Sequence, residues 1–486
     1  MLLFSLFSYA ATYFNVKEYG ATGNGTTLDT DAMNNAITRA AETGGGTVFF
    51  PAGTYLCYSI HLKSNVSLYL DNGCTILAAD YTPGQPGFDA TEGKEWSHYQ
   101  DFGHTFFHNS LMWGENLENI TIAGQGLING KGLTREEIRE AGAGNKAIAL
   151  KLCRNVTIRD ISILMGGHFA ILATGVDLLT LDNLKVDTNR DAFDIDCCHH
   201  VRVSNCTVNS PYDDAICLKS SYALGYARTT EDVTITNCYV SGFDRTTLLN
   251  GTYLKNEAHT VPDKGVVTGR IKFGTESNGG FRNITVSNCT FEFCRGLALE
   301  TVDGGILEDV TVSNITMKDI QGAPFFLRLG ARMRGPQGVP VGKLRRINIS
   351  NIIVYSENPF YCSMIAGIPG HEIEDVRMSD ITIRIKGGAP ASQALNVVEE
   401  HIKTYPDPQE FGAMPAYGFF IRHARNIELN NIRILLENSD ARPAIILDDA
   451  HNVTFNNVEL PTNNATQPIK TSNSENTRLN NCNFTK

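Results

Sequence analysis

The sequence predicts an all-β protein, a right-handed parallel β-helix of about 10–12 coils with an N-terminal capping helix. Three observations lead there. First, one short segment recurs along the chain: apolar–x–apolar–x–Asn–(Cys or apolar). Val201-Arg-Val-Ser-Asn-Cys206, Val233-Thr-Ile-Thr-Asn-Cys238 and Ile284-Thr-Val-Ser-Asn-Cys289 are close copies, as are those starting at Val310, Ile347, Ile427 and Val453. Looser copies start at Ile120, Val156, Leu179, Val376 and Thr477, making twelve. Second, the shortest spacings are 22 to 26 residues, and longer gaps read as one unit plus an inserted loop. Third, apolar residues alternate with period two within each copy, which means strands with one buried face. The competing solenoid, a leucine-rich repeat, needs helical segments and an L-x-x-L-x-L consensus that the chain does not show.

Taken in order, Met1–Ala11 reads as the apolar part of a secretory signal with a small-residue cleavage site, lacking its basic start. The expectation is therefore an exported protein, secreted or periplasmic. Residues 12–486 form a single domain, with 12–80 as the capping region and 116–486 as the coils. Thr30-Asp31 caps a helix running to Ala41, and Gly44-Gly-Gly46 ends it. Thr47–Tyr55 reads as two short strands about a turn, and residues 80–115, rich in aromatics and histidines, as a long loop over one face. Residues 461–486 finish the far end. The recurrent asparagine suits a bend, where its amide can bond the same amide one coil away. The twelve cysteines show no CxxC or zinc spacing, and several share one repeat position, so they read as small apolar packing residues with few or no disulfides.

A net charge of −11 argues against nucleic acid or anionic membrane as a partner, and no apolar run reaches the ~20 residues that span a bilayer. The expected state is a monomer.

Function concentrates in Thr188–Asp196 and Ser210–Lys219, two short acidic turns. Successive coils stack at ~4.8 Å, so residues at equal offset from the repeat start form a column. Twelve residues on from Val156, Leu179, Val201 and Val233 stand His168, Asp191, Asp213 and Arg245. Asp214 joins them in a turn behind Pro211. Three carboxylates in one patch shift each other's pKa and can divide acid and base work on a glycosidic bond. Asp194 and Asp196 read as outward-facing strand residues, and His199-His200 as surface residues.

On these residues the chain resembles glycoside hydrolase family 28, the polygalacturonase-like enzymes that degrade pectin, over nearly its whole length. Asn189-Arg190-Asp191 matches the family's Asn-Thr-Asp motif with Arg for Thr, and Tyr212-Asp213-Asp214 matches Gly-Asp-Asp with Tyr for Gly. The resemblance implies Asp213 as general acid, with Asp191 and Asp214 placing and deprotonating water in an inverting hydrolysis. That geometry asks for carboxyl groups ~6.5–9.5 Å apart. It implies no metal and no cofactor, and a pectic polysaccharide or oligosaccharide as partner.

The accompanying motifs have changed. Asp244 stands about where the family's Gly-His-Gly histidine would be, and His259, in the insertion at roughly 245–268, is the candidate to return one. Arg270-Ile-Lys272 spells the pair that holds a substrate carboxylate. The coil expected to carry that pair reads Arg295–Glu300 and aligns Ala298 and Glu300 with it. Glu300 would repel a uronate and accept hydrogen bonds from a neutral sugar. Lys219, Arg328, Arg332 and Arg334 are further candidate cations for a cleft wall, and His168 a substrate contact from its place in the column. The loops at 80–115 and 245–268 favour exo action, with uronic acid as the sugar expected to be removed and a neutral deoxy or hexose sugar as its competitor. Two other classes stay open: a polysaccharide lyase, and a non-catalytic carbohydrate-binding β-helix.

Overall fold

The computed structural model describes residues 13–93, 95–100, 103–134, 140–256, 267–461 and 467–485. The apolar start of the chain and His259 lie outside them. The chain is a right-handed parallel β-helix, wound as three ladders of parallel strands around one apolar interior. One ladder begins Tyr13–Asn15, Gly46–Phe50, Val66–Leu70, Glu118–Gly124 and runs on to Arg478–Asn480. The second passes through Gly53–Cys57, Cys74–Ala78 and Leu127–Asn129. The third passes through Met112–Glu115, Lys146–Lys151, Phe169–Thr174, Asp191–Asp196, Ile216–Ser220, Ile271–Ser277, Leu297–Thr301 and Phe325–Leu329.

Coiling thus starts near residue 13, not 116. The early coils lack the Asn-Cys signature but keep the alternation: Val66, Leu68 and Leu70 are buried while Tyr69 is exposed. The helix Thr30–Glu42 acts as a lid, laying Met33, Ala36, Ile37 and Ala40 against the first coil. Asp29, just before it, binds Thr22 and Gly23 instead of capping the helix. At the other end Ile469–Ser472, Arg478–Asn480 and Asn483–Thr485 add one more coil in place of a separate cap.

The recurrent asparagines sit at a left-handed corner: φ is 57° at Asn205, 55° at Asn288 and 56° at Asn314. Asparagine tolerates this conformation better than most residues. Their amides form the expected ladder, Asn314 bonding Asn288 at 3.0 Å and Asn351 bonding Asn314 at 2.9 Å. A second left-handed corner precedes each strand, and its residues ladder as well: Asn119 to Asn65, Asn155 to Asn119, Asn426 to Asp375. The sequence reading missed this one because residue type varies there. The cysteines are unbridged thiols, eleven of them buried.

Along the third ladder Ile171, Phe193, Ile216, Ile271, Leu297 and Phe325 point inward and build the core. Their neighbours Leu172, Asp194, Cys217, Lys272, Ala298 and Phe326 point outward and stack in register. Loops cover this outward face, so its charged residues are buried although they lie outside the coil.

Candidate active site

The acidic turns meet on that face, with a one-residue slip. Between the paired residues Asp187 and Asn209 and the next pair, Phe193 and Ile216, one coil has six steps (193 − 187) and the other seven (216 − 209). The main chain of Asp191 therefore lies beside Asp214, with Ala192 N donating to Asp214 O at 3.1 Å. Likewise Phe169, not His168, stands opposite Asp191. The extra residue lets Asp213 and Asp214 both reach the same spot. One oxygen from each of Asp191, Asp213 and Asp214 lies within 4.8 Å of the other two. All three residues are buried, at 4, 6 and 2% exposure.

Their surroundings differ sharply. Arg190 grips Asp213, with Nη2 and Nε at 3.0 and 3.2 Å from Oδ2. Its remaining nitrogen donates to His168 Nδ1 at 2.8 Å. Asp214 faces two cations, Arg270 Nε at 2.9 Å and Lys272 Nζ at 3.5 Å. Asp191 has neither: among the described residues nothing hydrogen-bonds or ion-pairs with its carboxylate. Burial, then the charges of Asp213 and Asp194, push its pKa well above the carboxylate range, against weaker opposition from Lys219 and Arg190. Arg190 entered the sequence reading only as a departure from a motif. Its partner lies across a coil boundary, which spacing does not reveal.

Arg270 and Lys272 share the face as expected, but they are not free to present charge. Glu300 closes the far side, 3.8 Å from Arg270 Nη2 and 3.5 Å from Lys272 Nζ. Lys272 also donates to Tyr405 Oη at 3.2 Å. Glu300 is fully buried, and among the described residues neither of its oxygens has a hydrogen-bond partner. Burial raises its pKa to about 7, opposed by Lys272 and Arg270.

Several expected contacts prove structural. Lys219 turns into a buried network, 3.0 Å from Glu276 and 3.9 Å from Asp194. His104, from the aromatic loop, binds Asp194 at 2.9 Å, and Arg334 binds Glu276 at 2.8 Å. Arg332 pairs with Asp303. This network pins two loops over the site. Burial works against charge on His104 and Lys219, yet Asp194 and Glu276 outweigh it and raise both pKa values. Arg328 is not a cleft cation. It donates to the carbonyls of Gly367, Glu400 and His401 and stacks on Phe411, clamping the segment that carries Tyr405. Asp244 accepts from Asn256 N at 2.8 Å and so holds the insertion. His168 is fully buried behind Arg190, so it braces that arginine instead of lining an open cleft. Arg245 stacks on Tyr212, 5.0 Å from its ring.

The sequence reading also missed Lys146, buried one coil above Phe169 and bonded to Asn109 and Asn145. Counting twelve residues on from the preceding start, Ile120, leads to Gly132, so an inserted loop hides Lys146 from that arithmetic.

A water held by two hydrogen bonds of ~2.8 Å spans about 4.5 Å between acceptors, so carboxylate oxygens within 4.8 Å of one another are close enough for one water to bridge. The oxygens are closer than the spacing between carboxyl groups expected of an inverting pair, so separation alone does not select the stereochemistry. The same oxygens could ligate a cation, but Arg190, Arg270 and Lys272 already supply three positive charges.

The family described as "Rhamnogalacturonase A/epimerase, pectate lyase-like" matches residues 13–244. A probable polygalacturonase of Vitis vinifera is 23% identical over 453 residues, covering 86% of this chain and 83% of its own. The plasmin and fibronectin-binding protein A of Streptococcus pneumoniae is 34% identical over 183 residues, 36% of this chain and 24% of that protein. Among solved structures, the family 28 exopolygalacturonase of Yersinia enterocolitica superposes with a TM-score of 0.63 at 16% identity, covering 96% of this chain and 78% of that one.

Proposed function

We propose that this chain, a divergent glycoside hydrolase family 28-like member, hydrolyses an α-glycosidic bond in a pectic or related plant polysaccharide. The observation that carries the reading is the convergence of Asp191, Asp213 and Asp214, one oxygen from each within 4.8 Å of the other two. One carboxyl protonates the leaving oxygen, and an ionised neighbour takes a proton from water. In an inverting reaction that water attacks the anomeric carbon from the face opposite the departing sugar. Loops carrying His104, Tyr405 and Arg334 wall the site. That enclosure supports attack at a chain end.

A specific observation favours a neutral sugar over a uronic acid. Arg270 and Lys272 already face Asp214 and Glu300, so that once Glu300 ionises, above about pH 7, two cations meet two carboxylates. A uronate arriving there would be a third anion in a buried setting, where unbalanced charge is costly. A neutral deoxy or hexose sugar brings no such charge, and its hydroxyls could donate to Glu300. The apolar first eleven residues support export of the protein.

The test is a panel of pectic oligosaccharides that includes rhamnogalacturonan fragments, with Asp213→Asn as control. Release of new reducing ends by the unaltered protein and its loss in the variant support hydrolysis. Ultraviolet-absorbing unsaturated products would point to a lyase. Binding without turnover that survives Asp213→Asn would point to a carbohydrate-binding β-helix.

A further inference from the structure

We propose that Asp191, not Asp213, is the proton donor of this site, and that Arg190 is the positioning residue that divides the roles. The inference rests on the hydrolase reading and assigns its acid. Two of the three carboxylates are held ionised by geometry. Asp213 takes two nitrogens of the Arg190 guanidinium, at 3.0 and 3.2 Å. Asp214 takes Arg270 at 2.9 Å and Lys272 at 3.5 Å. A carboxyl so paired gives up its proton readily and keeps it poorly. The third, Asp191, is 4% exposed and no described residue satisfies its oxygens. The groups around it are Asp213 and Asp214 on the next coil, Asp194 on its own strand, and Lys219 and Arg190, which pair with other acids. An unpaired carboxyl among three anions is the one that retains a proton.

The step balances without another reactant. The Asp191 O–H proton passes to the glycosidic oxygen as the C–O bond breaks, its electron pair leaving with that oxygen. A water oxygen bonds to the anomeric carbon, and its proton goes to the Asp213–Asp214 pair. That proton exchanges with solvent, and Asp191 is reprotonated from solvent, so the net change is one water added across one bond. Arg190 stands where a threonine would leave Asp213 without its guanidinium partner. The division of labour therefore follows from that one side chain.

The experiment uses two substrates with the same glycone, the pectic oligosaccharide cleaved in the panel above (the natural glycoside) and a dinitrophenyl glycoside of its terminal sugar, whose leaving group needs no proton. Asp191→Asn is expected to lose on the order of 10²–10⁴-fold on the natural glycoside but to stay within roughly tenfold of the unaltered protein on the activated one. Asp213→Asn is expected to lose on both, since it removes a water-side group. Adding Arg190→Thr to Asp191→Asn is expected to restore part of the natural turnover, because Asp213 can then hold a proton; Arg190→Lys should not. Melting curves confirm that each variant is folded. Leaving-group rescue in Asp213→Asn and not in Asp191→Asn would overturn the assignment while leaving the hydrolase reading in place. No turnover of either substrate by the unaltered protein would overturn the hydrolase reading, and this assignment with it.

Discussion

Glu300 is the residue on which the proposed preference for a neutral sugar over a uronate turns. A fully buried carboxyl with no hydrogen bond from any described residue sits beside two cations that already have another partner. Its pKa rises from an ordinary 4.5 to about 7, chiefly through burial. A raised folded-state pKa means that the native protein binds the proton more tightly than the unfolded chain. The stability this gives is complete below pH about 4.5 and disappears as pH climbs through about 7. Denaturation between those limits is therefore expected to show falling stability with rising pH. Glu300→Gln should flatten that slope by at most about 3 kcal/mol; an unchanged slope would show that Glu300 does not carry it. The same variant frees Arg270 and Lys272 of one anion, so the preference between a neutral-sugar and a galacturonic acid substrate is expected to move toward the uronate, measured as a ratio of kcat/KM. The sequence made Glu300 and the acidic turns legible because repeat arithmetic assigns each residue to a coil. It did not make Arg190, His104 or Glu276 legible, because those contacts depend on how far a side chain reaches across coils and loops.

At the scale of the element, the corner asparagines hold the coils in register by two separate means. Asn314 adopts φ 56° and gives and receives one amide bond, at 3.0 and 2.9 Å. Alanine in a left-handed corner costs about 1–2 kcal/mol, and two exposed hydrogen bonds are worth about 0.5 kcal/mol each at the low end. Asn314→Ala is expected to lower stability by about 2 kcal/mol, whereas Asn314→Gly keeps the corner and should cost about half as much; urea unfolding compares them. This ladder could be foreseen from the repeated Asn, while its twin before each strand could not, since Asn, Asp, His, Leu and Arg all occupy that corner. The loops obey different rules. Arg328 holds the Tyr405 segment through hydrogen bonds to backbone carbonyls and by stacking on Phe411, a use of arginine that no motif announces. Arg328→Met keeps the bulk and removes those donors. Limited proteolysis of that variant is expected to cut within residues 395–411 well before the unaltered protein is cut there.

A solenoid is a one-dimensional object, and its stability should be graded along its axis because each coil contacts only its neighbours. The period was legible because it repeats a dozen times, whereas the ends were not, because terminal coils follow no consensus. Those ends differ physically. The first coil is covered by the apolar face of Thr30–Glu42. The last coil is largely exposed, with Leu479 at 49% and Phe484 at 38%. The acidic site lies on coils that have neighbours on both sides, between Phe169–Thr174 and Ile271–Ser277. Local opening is easiest where few apolar contacts resist it. Amides of Ile469–Ser472 and Arg478–Asn480 are therefore expected to exchange with solvent deuterium orders of magnitude faster than those of Asp177–Asp182 and Asp191–Asp196. Replacing Ile37 in the covering helix by Asp should extend fast exchange from the first end toward Val66–Leu70 and leave Asp191–Asp196 protected. Uniform exchange along the axis, or loss of protection at Asp191–Asp196 in that variant, would mean that the solenoid opens as a single cooperative unit. Catalytic geometry would then depend on both ends and not on the neighbouring coils alone.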